Sequence, residues 1–310
     1  MSIKVESVEC VYSNGKHNAF TSITKHQGMY YLAFRSSDSH LSAEAAITIM
    51  VSEDGKAWTF QTRLAGAPGE DFRDPEIISF NGKLIVYFAI CCQGREDRDS
   101  LAYFSEDGKN FTASTINGLK YGYWLWGIVE RNGELFGSAY LHCDGDDFMK
   151  LYRSSDGFIW EKVYDFPEKC NETALDVGDD GKLYALARTE IKPFKPYLFI
   201  FDDVEAGPIE TITLDTVLQG PMLKCLKNGC LMIGRRWDKK DRSDTRVDLV
   251  WRGDDGNLDY VDTLPSGGDC SYASWVDVGE GEALVSYYSA HQRTVVDSSQ
   301  CDIFVAHLRF

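Results

Sequence analysis

Apolar and polar positions alternate along most of the chain in short runs interrupted by glycine-containing turns. That is the period-two signature of half-buried strands. No segment of useful length carries the 3.6-residue period of an amphipathic helix. Six times a glycine turn leads into an apolar run, in "HQGMYYLAF", "FNGKLIVYF", "RNGELFGSAY", "DDGKLYALAR", "KNGCLMIGR" and "GEGEALVSYY". The turn glycines, Gly28, Gly82, Gly133, Gly181, Gly229 and Gly281, are spaced 54, 51, 48, 48 and 52 residues apart. A tight hairpin needs positive φ, which glycine accepts, so each glycine marks the turn between two strands. Six units of similar length, each with room for about four strands, predict an all-β fold: a six-bladed β-propeller of four-stranded antiparallel blades. No linker rich in Pro, Ser or Gly divides residues 1–310, which therefore read as one domain. The N-terminal "VESVECVY" is expected to complete the last blade beside "CDIFVAHLRF", which would remove two open sheet edges.

A second repeat lies over the first. "SEDGKAW" at 52 returns as "SEDGKNF" at 105 and "SSDGFIW" at 154, each about 25 residues after a glycine hairpin. At that distance it falls on the turn between the third and fourth strands. There Ser and Asp can bond the turn amides, Gly takes the unusual dihedral and the aromatic packs between blades. The fourth and fifth copies, "FDDVEAG" and "GDDGNL", are degraded. The phrase reads as a structural turn and not as a catalytic motif.

Composition narrows the function. Aromatic residues make up 13% of the 310 positions, and 27 glycines against 8 prolines suit many short strands with tight turns. The net charge of −16 argues against nucleic acid or an anionic membrane as partner, because long-range repulsion opposes their approach. An anionic small ligand stays compatible where arginines reverse the field locally. The opening residues lack the basic and apolar regions of a signal peptide, and no apolar run is long enough to span a bilayer. Nine cysteines without metal-ligand spacing are expected as reduced thiols, so the expected location is the cytoplasm. Neither a cofactor motif nor a tight metal-ligand motif is present, and none is expected to be bound.

Strand parity sorts the polar residues. In an up-and-down blade the glycine hairpins and the Ser-x-Asp-Gly turns share one face. Residues just before a first strand or just after a second then lie on the opposite face, around the axis. Those positions hold His17, Asn18, Asp38 and His40; then Arg73, Asp74 and Glu76; then Tyr123, Trp124, Trp126 and His142. They continue with Glu172, Arg188 and Glu190, then Gln219, Arg235, Arg236 and Asp238, and end with Asp269, Tyr272 and His291. Such a mixture suits a sugar: aromatic faces stack on the ring while charged groups reach hydroxyls.

The repeated phrase is the Asp box, and over essentially its whole length the chain resembles the sialidase superfamily of six-bladed propellers. "NETALDVGDDGKLYALAR" is similar to the segment in which a glutamate opens blade four and an arginine closes its second strand. The resemblance implies that Glu172 polarises the nucleophile and that Arg188 binds substrate. "CSYASWVDVGEGEALVSYY" resembles the segment carrying the tyrosine nucleophile, which implies that role for Tyr272. A phenol titrating near ~10 needs such a carboxylate beside it to act. Tyrosine nucleophiles are the sialidase exception to paired carboxylates. Asp38 falls in the loop of the acid/base aspartate, and His40 competes for that role. The chain departs from the family where an Arg-Ile-Pro motif should open the first blade: "KHNAFTSI" puts His17 and Asn18 there. Arg73 of "FRDPEI" would substitute, with Arg235 or Arg236 as the third cation.

The resemblance therefore implies a related exo-acting glycosidase releasing a terminal sugar, acidic, uronic or neutral, from a small glycan. In that scheme His17, Asn18, Arg73, Asp74, Arg188, Arg235, Arg236, His142 and His291 hold the sugar, with Trp124 and Trp126 at the rim. A strand alternates faces, so inter-blade packing competes for the two tryptophans. Two alternatives stay open. A propeller polysaccharide lyase would use His17, His40, His142 and His291 around one channel to abstract a proton beside a uronate. A carbohydrate-binding propeller would have no turnover at all.

Overall fold

The computed structural model describes residues 3–42, 44–92, 98–143, 146–279, 281–293 and 300–310. It is a β-propeller of four-stranded antiparallel blades. The chain begins with β1 (Lys4–Tyr12). Next come β2 (His17–His26), β3 (Met29–Ser37), β4 (Ala45–Ser52) and β5 (Thr59–Ala65), then β6 (Glu70–Phe80), β7 (Lys83–Cys92), β8 (Arg98–Ser105) and β9 (Thr112–Thr115). The third group is β10 (Trp124–Arg131), β11 (Glu134–Cys143), β12 (Asp146–Ser154) and β13 (Glu161–Asp165). The fourth is β14 (Thr173–Val177), β15 (Leu183–Ala187), β16 (Tyr197–Phe201) and β17 (Glu210–Thr213). The fifth is β18 (Gln219–Leu226), β19 (Gly229–Arg236), β20 (Arg246–Gly253) and β21 (Leu258–Leu264). The last is β22 (Cys270–Gly279), β23 (Glu282–Ser289) and β24 (Asp302–Arg309), with β1 bonded to β24 at its outer edge.

Six separate four-stranded sheets were expected, and the structure corrects this. Four such sheets stand apart, while β2 to β9 form one eight-stranded sheet. Its halves, β2–β5 and β6–β9, are antiparallel within themselves and meet through a single parallel pair, Ala45 with Asp71. The first strands form a closed ring of neighbours in the order β2, β6, β10, β14, β18, β22 and back to β2. Closure gathers residues from all along the chain around one axis.

The hairpin turns follow local chemistry. Gln27–Gly28, Asn81–Gly82 and Asn132–Gly133 all have φ between 47° and 85°, the left-handed pair that a two-residue turn requires. At the fifth hairpin the turn falls one residue earlier than expected, on Lys227 and Asn228, and Gly229 opens β19. The Ser-x-Asp-Gly turns are clasps between sheets. Asp156 Oδ1 accepts from the amides of Phe158 and Ile159 at 2.7 and 2.8 Å, and Ser154 Oγ accepts from Gly157 N at 2.9 Å. Gly157 is placed against the preceding sheet. A Cβ there would meet the Tyr87 hydroxyl at 2.8 Å, and that hydroxyl donates to the Gly157 carbonyl. The buried Trp160 donates its indole N–H to the same carbonyl.

Five of the ring strands carry a bulge with one residue more than their partner. The slips lie between Ala19 and Ser22, Arg73 and Glu76, Leu125 and Ile128, Gln219 and Met222, and Ser271 and Ser274. Four of these slips contain a residue in the left-handed region: Phe20, Asp74, Gly220 and Tyr272, with φ of 60°, 48°, 54° and 50°. A bulge re-aims the side chain it carries. Register also puts the glycine hairpins at one end, since Tyr30 pairs with Ser52, and the His17–Ser37 pair at the other.

Candidate active site

Tyr272 is the centre of the site. Its hydroxyl donates to Glu172 Oε1 at 2.5 Å across 100 residues of sequence. The other oxygen of Glu172 accepts from Arg188, which also bonds Glu190. The backbone fastens the same corner: Arg188 N donates to the Glu172 carbonyl at 2.9 Å. A Cβ on Gly220 would approach Ser271 Oγ to 2.5 Å and the Tyr272 ring to 3.0 Å, so only glycine lets the phenol lie where it does. Burial, then the Glu172 charge, push the Tyr272 hydroxyl well above its ordinary range, so it rests as a neutral phenol. Burial also works against the Arg188 charge, but Glu172, Tyr272 and Glu190 more than restore it and the guanidinium stays protonated.

Aromatic rings wall the phenol. Phe20 packs edge-on at 4.8 Å, Trp126 at 5.9 Å, and Tyr288 lies 6.0 Å away. Trp124 instead stacks on Tyr140 at 5.5 Å. Both tryptophans are buried, so neither forms an exposed rim. An axial cavity of about 250 Å³ reaches this layer at Phe20, Asp74, Trp126 and Tyr272 and runs past Glu76 and Asp176.

Two further arginines, Arg73 and Arg235, lie near the phenol with Arg188. Arg73 lies close enough to Asp74, Asp71 and Tyr272 to feel their charge, and donates to the His40 carbonyl at 3.2 Å. Arg235 is near Tyr288, Arg188, Tyr272 and Asp269, and reaches Asp269 Oδ1 only at 3.8 Å. Arg236, its alternate, faces the other way and is held by Asp238 and Asp248, both at 3.3 Å. Of the two candidates for the third cation, only Arg235 is at the site.

A polar cluster adjoins the phenol. Asp269 Oδ2 accepts from His17 Nε2 at 3.0 Å and from His40 Nδ1 at 2.7 Å, and its Oδ1 accepts from the Tyr288 hydroxyl at 2.8 Å. Burial alone would raise the Asp269 carboxyl, but the bonds from His17 and His40 hold it well below the usual carboxylate range. Burial lowers His17 and outweighs the pull of Asp269. Behind His17 stands Arg35, fully buried, bidentate to Asp71 at 2.7 and 3.0 Å and donating to His17 Nδ1 at 3.4 Å. His17, His40 and Asp269 present ligand-type atoms within 4.8 Å of one another, the one such group among the described residues.

Several expected residues are elsewhere. Asp38 is 80% exposed and paired with Lys16 at 2.7 Å, which lowers its carboxyl, and it lines an outer cavity with Glu44 and Arg63. An ionised surface carboxylate cannot deliver a proton to the Tyr272 layer. Asn18 has its amide engaged by the protein itself. It donates to Asn14 and to the Cys301 carbonyl and accepts from Ser36, so it ties the loop before β2 to β24. His291 bonds Ser289 and packs on Phe304. The side chain of His142 lies outside the described residues. Of the three histidines of the lyase alternative whose side chains are described, His17 and His40 meet and His291 stands apart.

Sequence parity overlooked Phe20, Arg35, Asp71 and Tyr288. The signal that could have found Arg35 is a charge inside an otherwise apolar strand, which demands a buried partner, whereas Asp71 lies among the other charges of β6 and carries no such mark.

No family model matches the chain, and no curated protein matches it. Solved structures do, at the level of fold. A protein of unknown function from Dyadobacter fermentans superposes with a TM-score of 0.82 at 17% identity, over 100% of this chain and 99% of that one. Trypanosoma rangeli sialidase gives 0.69 at 14% identity, over 96% of this chain and 55% of the sialidase. Penicillium chrysogenum α-L-arabinanase, solved with arabinobiose, gives 0.69 at 13% identity, over 97% and 98%. These likenesses define the class of fold, a propeller shared with glycoside hydrolases.

Proposed function

We propose that the protein is an exo-acting, sialidase-like glycosidase that releases a terminal acidic sugar, with Tyr272 as nucleophile and Glu172 as its base. One observation carries the reading: the 2.5 Å bond between a buried phenol and a carboxylate that is itself clamped by an arginine. A phenol held neutral by burial attacks only if its proton leaves as the new bond forms, and Glu172 is placed to take it. Arg188 bonds the other oxygen of Glu172 and holds the carboxylate in place. The named glycosidases among the similar folds make the chemistry reasonable, but at such low identity the support is the geometry of the site.

An acidic sugar is favoured because Arg73, Arg188 and Arg235 converge on Tyr272 in a chain whose net charge is −16. The Arg235 guanidinium reaches Asp269 Oδ1 only at 3.8 Å, beyond hydrogen-bond distance, which leaves its planar fork for a carboxylate. The test is a panel of 4-methylumbelliferyl glycosides comprising a sialoside, uronides and neutral sugars. Release from an acidic member, reduced by about 10³-fold or more in Tyr272→Phe, is the expected result. Cleavage of neutral sugars alone would remove the acidic specificity. Tyr272→Phe turning over at the wild-type rate would remove the mechanism.

A further inference from the structure

Asp269 joins two histidines that lie 252 and 229 residues away, and the proton positions in this cluster can be worked out. Asp269 is a carboxylate and only accepts, so His17 Nε2 and His40 Nδ1 both carry protons toward it. Arginine only donates, so the Arg35 contact fixes His17 Nδ1 as the bare nitrogen. A metal bound by these groups would need the lone pair of His17 Nε2, and with it a proton on Nδ1 facing a guanidinium. That arrangement is repulsive. Arg35, Arg73 and Arg235 also crowd the cluster with positive charge. The three ligand-type atoms are a hydrogen-bonded unit and not a cation site.

His40 differs from His17 in its access. His17 is fully buried, whereas the His40 side chain is 38% exposed. With Nδ1 held by Asp269, its Nε2 is the ring atom left for a substrate. His40 stands edge-on to Phe20 at 5.6 Å, and Phe20 also packs on Tyr272 at 4.8 Å, so one aromatic ring lies between imidazole and phenol.

We infer that His40 is the acid/base of the reaction, with Asp269 and, through it, His17 as positioning residues. The inference rests on the glycosidase reading above and supplies the proton donor that Asp38 cannot be. In the first step Tyr272 Oη bonds to the anomeric carbon and the bond to the leaving oxygen breaks. The phenol proton passes to Glu172, and the His40 Nε2 proton passes to the leaving oxygen, which departs as an alcohol. In the second step water attacks the anomeric carbon and gives a proton to His40 Nε2. The bond to Oη breaks as the bond to the water oxygen forms, and Tyr272 regains its proton from Glu172. Asp269 stays ionised throughout and stabilises the imidazolium.

Two measurements test this, one of them without substrate. Long-range 1H–15N NMR of the full chain should show His40 protonated on Nδ1 with a far-downfield proton that moves upfield in Asp269→Asn. His17 should be protonated on Nε2. A His40 tautomer indifferent to Asp269→Asn, or stoichiometric Zn²⁺ binding that perturbs both rings, would overturn the inference. Kinetics follow on whichever sugar of the panel is cleaved. With the 4-nitrophenyl glycoside, whose leaving group needs no proton, His40→Gln should lose less than about 10-fold in kcat/KM. With the methyl glycoside of the same sugar it should lose about 100-fold or more. Equal losses on the two substrates would show a structural role only and sink the assignment. If wild-type protein cleaves no glycoside, the glycosidase reading fails, while the NMR result still decides whether Asp269 and His40 form the unit described.

Discussion

The buried Arg35–Asp71 pair sets the position of His17, and its removal has a calculable cost. Arg35 is fully buried and the Asp71 side chain is only 6% exposed. Two charge-assisted bonds join them, and Arg35 also donates to Ser37 Oγ, the Ser39 carbonyl and His17 Nδ1. Each charge-assisted bond contributes about 1.5–3 kcal/mol. Breaking a buried pair from one side costs about 3–5 kcal/mol, because the remaining charge keeps its desolvation penalty. Asp71→Asn keeps one acceptor, so the expectation is a loss of about 2–4 kcal/mol. Arg35→Met leaves a carboxylate that Arg73, with Nε at 3.8 Å, partly neutralises, and so should fall at the lower end of that range. The double variant Arg35→Met with Asp71→Leu leaves no orphan charge and should recover at least about 1 kcal/mol relative to the sum of the singles. Urea denaturation at neutral pH with matched m-values reads all three. A loss below about 0.5 kcal/mol in Asp71→Asn, the scale of an ordinary surface substitution, or strict additivity in the double variant, would refute the reasoning.

Three further expectations follow from single sites. Burial pushes Glu76 up from 4.5 to about 8, so the folded chain keeps a proton that the unfolded chain releases. Stability is then full below about pH 4.5 and declines as pH rises to about 8. The loss should be about 2 kcal/mol, below an unscreened ceiling of about 5 kcal/mol, because Glu76 lines the axial cavity. Glu76→Gln should flatten this decline in urea titrations across that range, and an unchanged slope would contradict the assignment. Asp156→Ala removes the acceptor for two turn amides and should cost about 1–2 kcal/mol in the same assay, whereas a neutral result would deny the clasp its role. Gly220→Ala must move Ser271 and Tyr272, so activity on the cleaved glycoside should fall by about 10-fold or more even where thermal stability is kept. Full activity would show that the placement of the phenol is not critical.

What could be read from the sequence depended on how local the determining interactions are. The glycine hairpins were legible because φ > 0 at Gln27–Gly28 or Asn81–Gly82 is a property of two residues. The Ser-x-Asp-Gly turn was legible because its bonds span three. The eight-stranded sheet was not, since the one bond pair that fuses its halves, Ala45 with Asp71, depends on how closely two strand ends approach in space. The meeting of Tyr272 with Glu172 and Arg188 came from resemblance and not from periodicity, and the distances now place the three groups together. Choosing between Asp38 and His40, two residues apart in one loop, was beyond the sequence. The proposal for His40 rests on a partner, Asp269, that is 229 residues away, and Lys16 pairs with Asp38.

The bulges explain why parity missed Phe20, although it placed Asp74 and Tyr272 at the axis. One extra residue in a ten-residue strand leaves almost no trace in a hydrophobic pattern, yet it exchanges the inward and outward sets on its far side. Phe20, Asp74 and Tyr272 all sit at such slips with positive φ, a conformation that costs a non-glycine residue about 1–2 kcal/mol. Three such costs at one level of one ring, each on a different strand, are not the pattern of random imperfection. Regular strands would turn these side chains into the packing between sheets and leave the axis lined by their neighbours. The bulges instead carry a phenol, its aromatic wall and a carboxylate to the mouth of the axis, and the packing of Phe20 and Tyr272 on each other holds the strained backbone in place. The local rules of strand formation are broken where the chemistry is proposed, as expected when selection acts on a site at the expense of the scaffold that bears it.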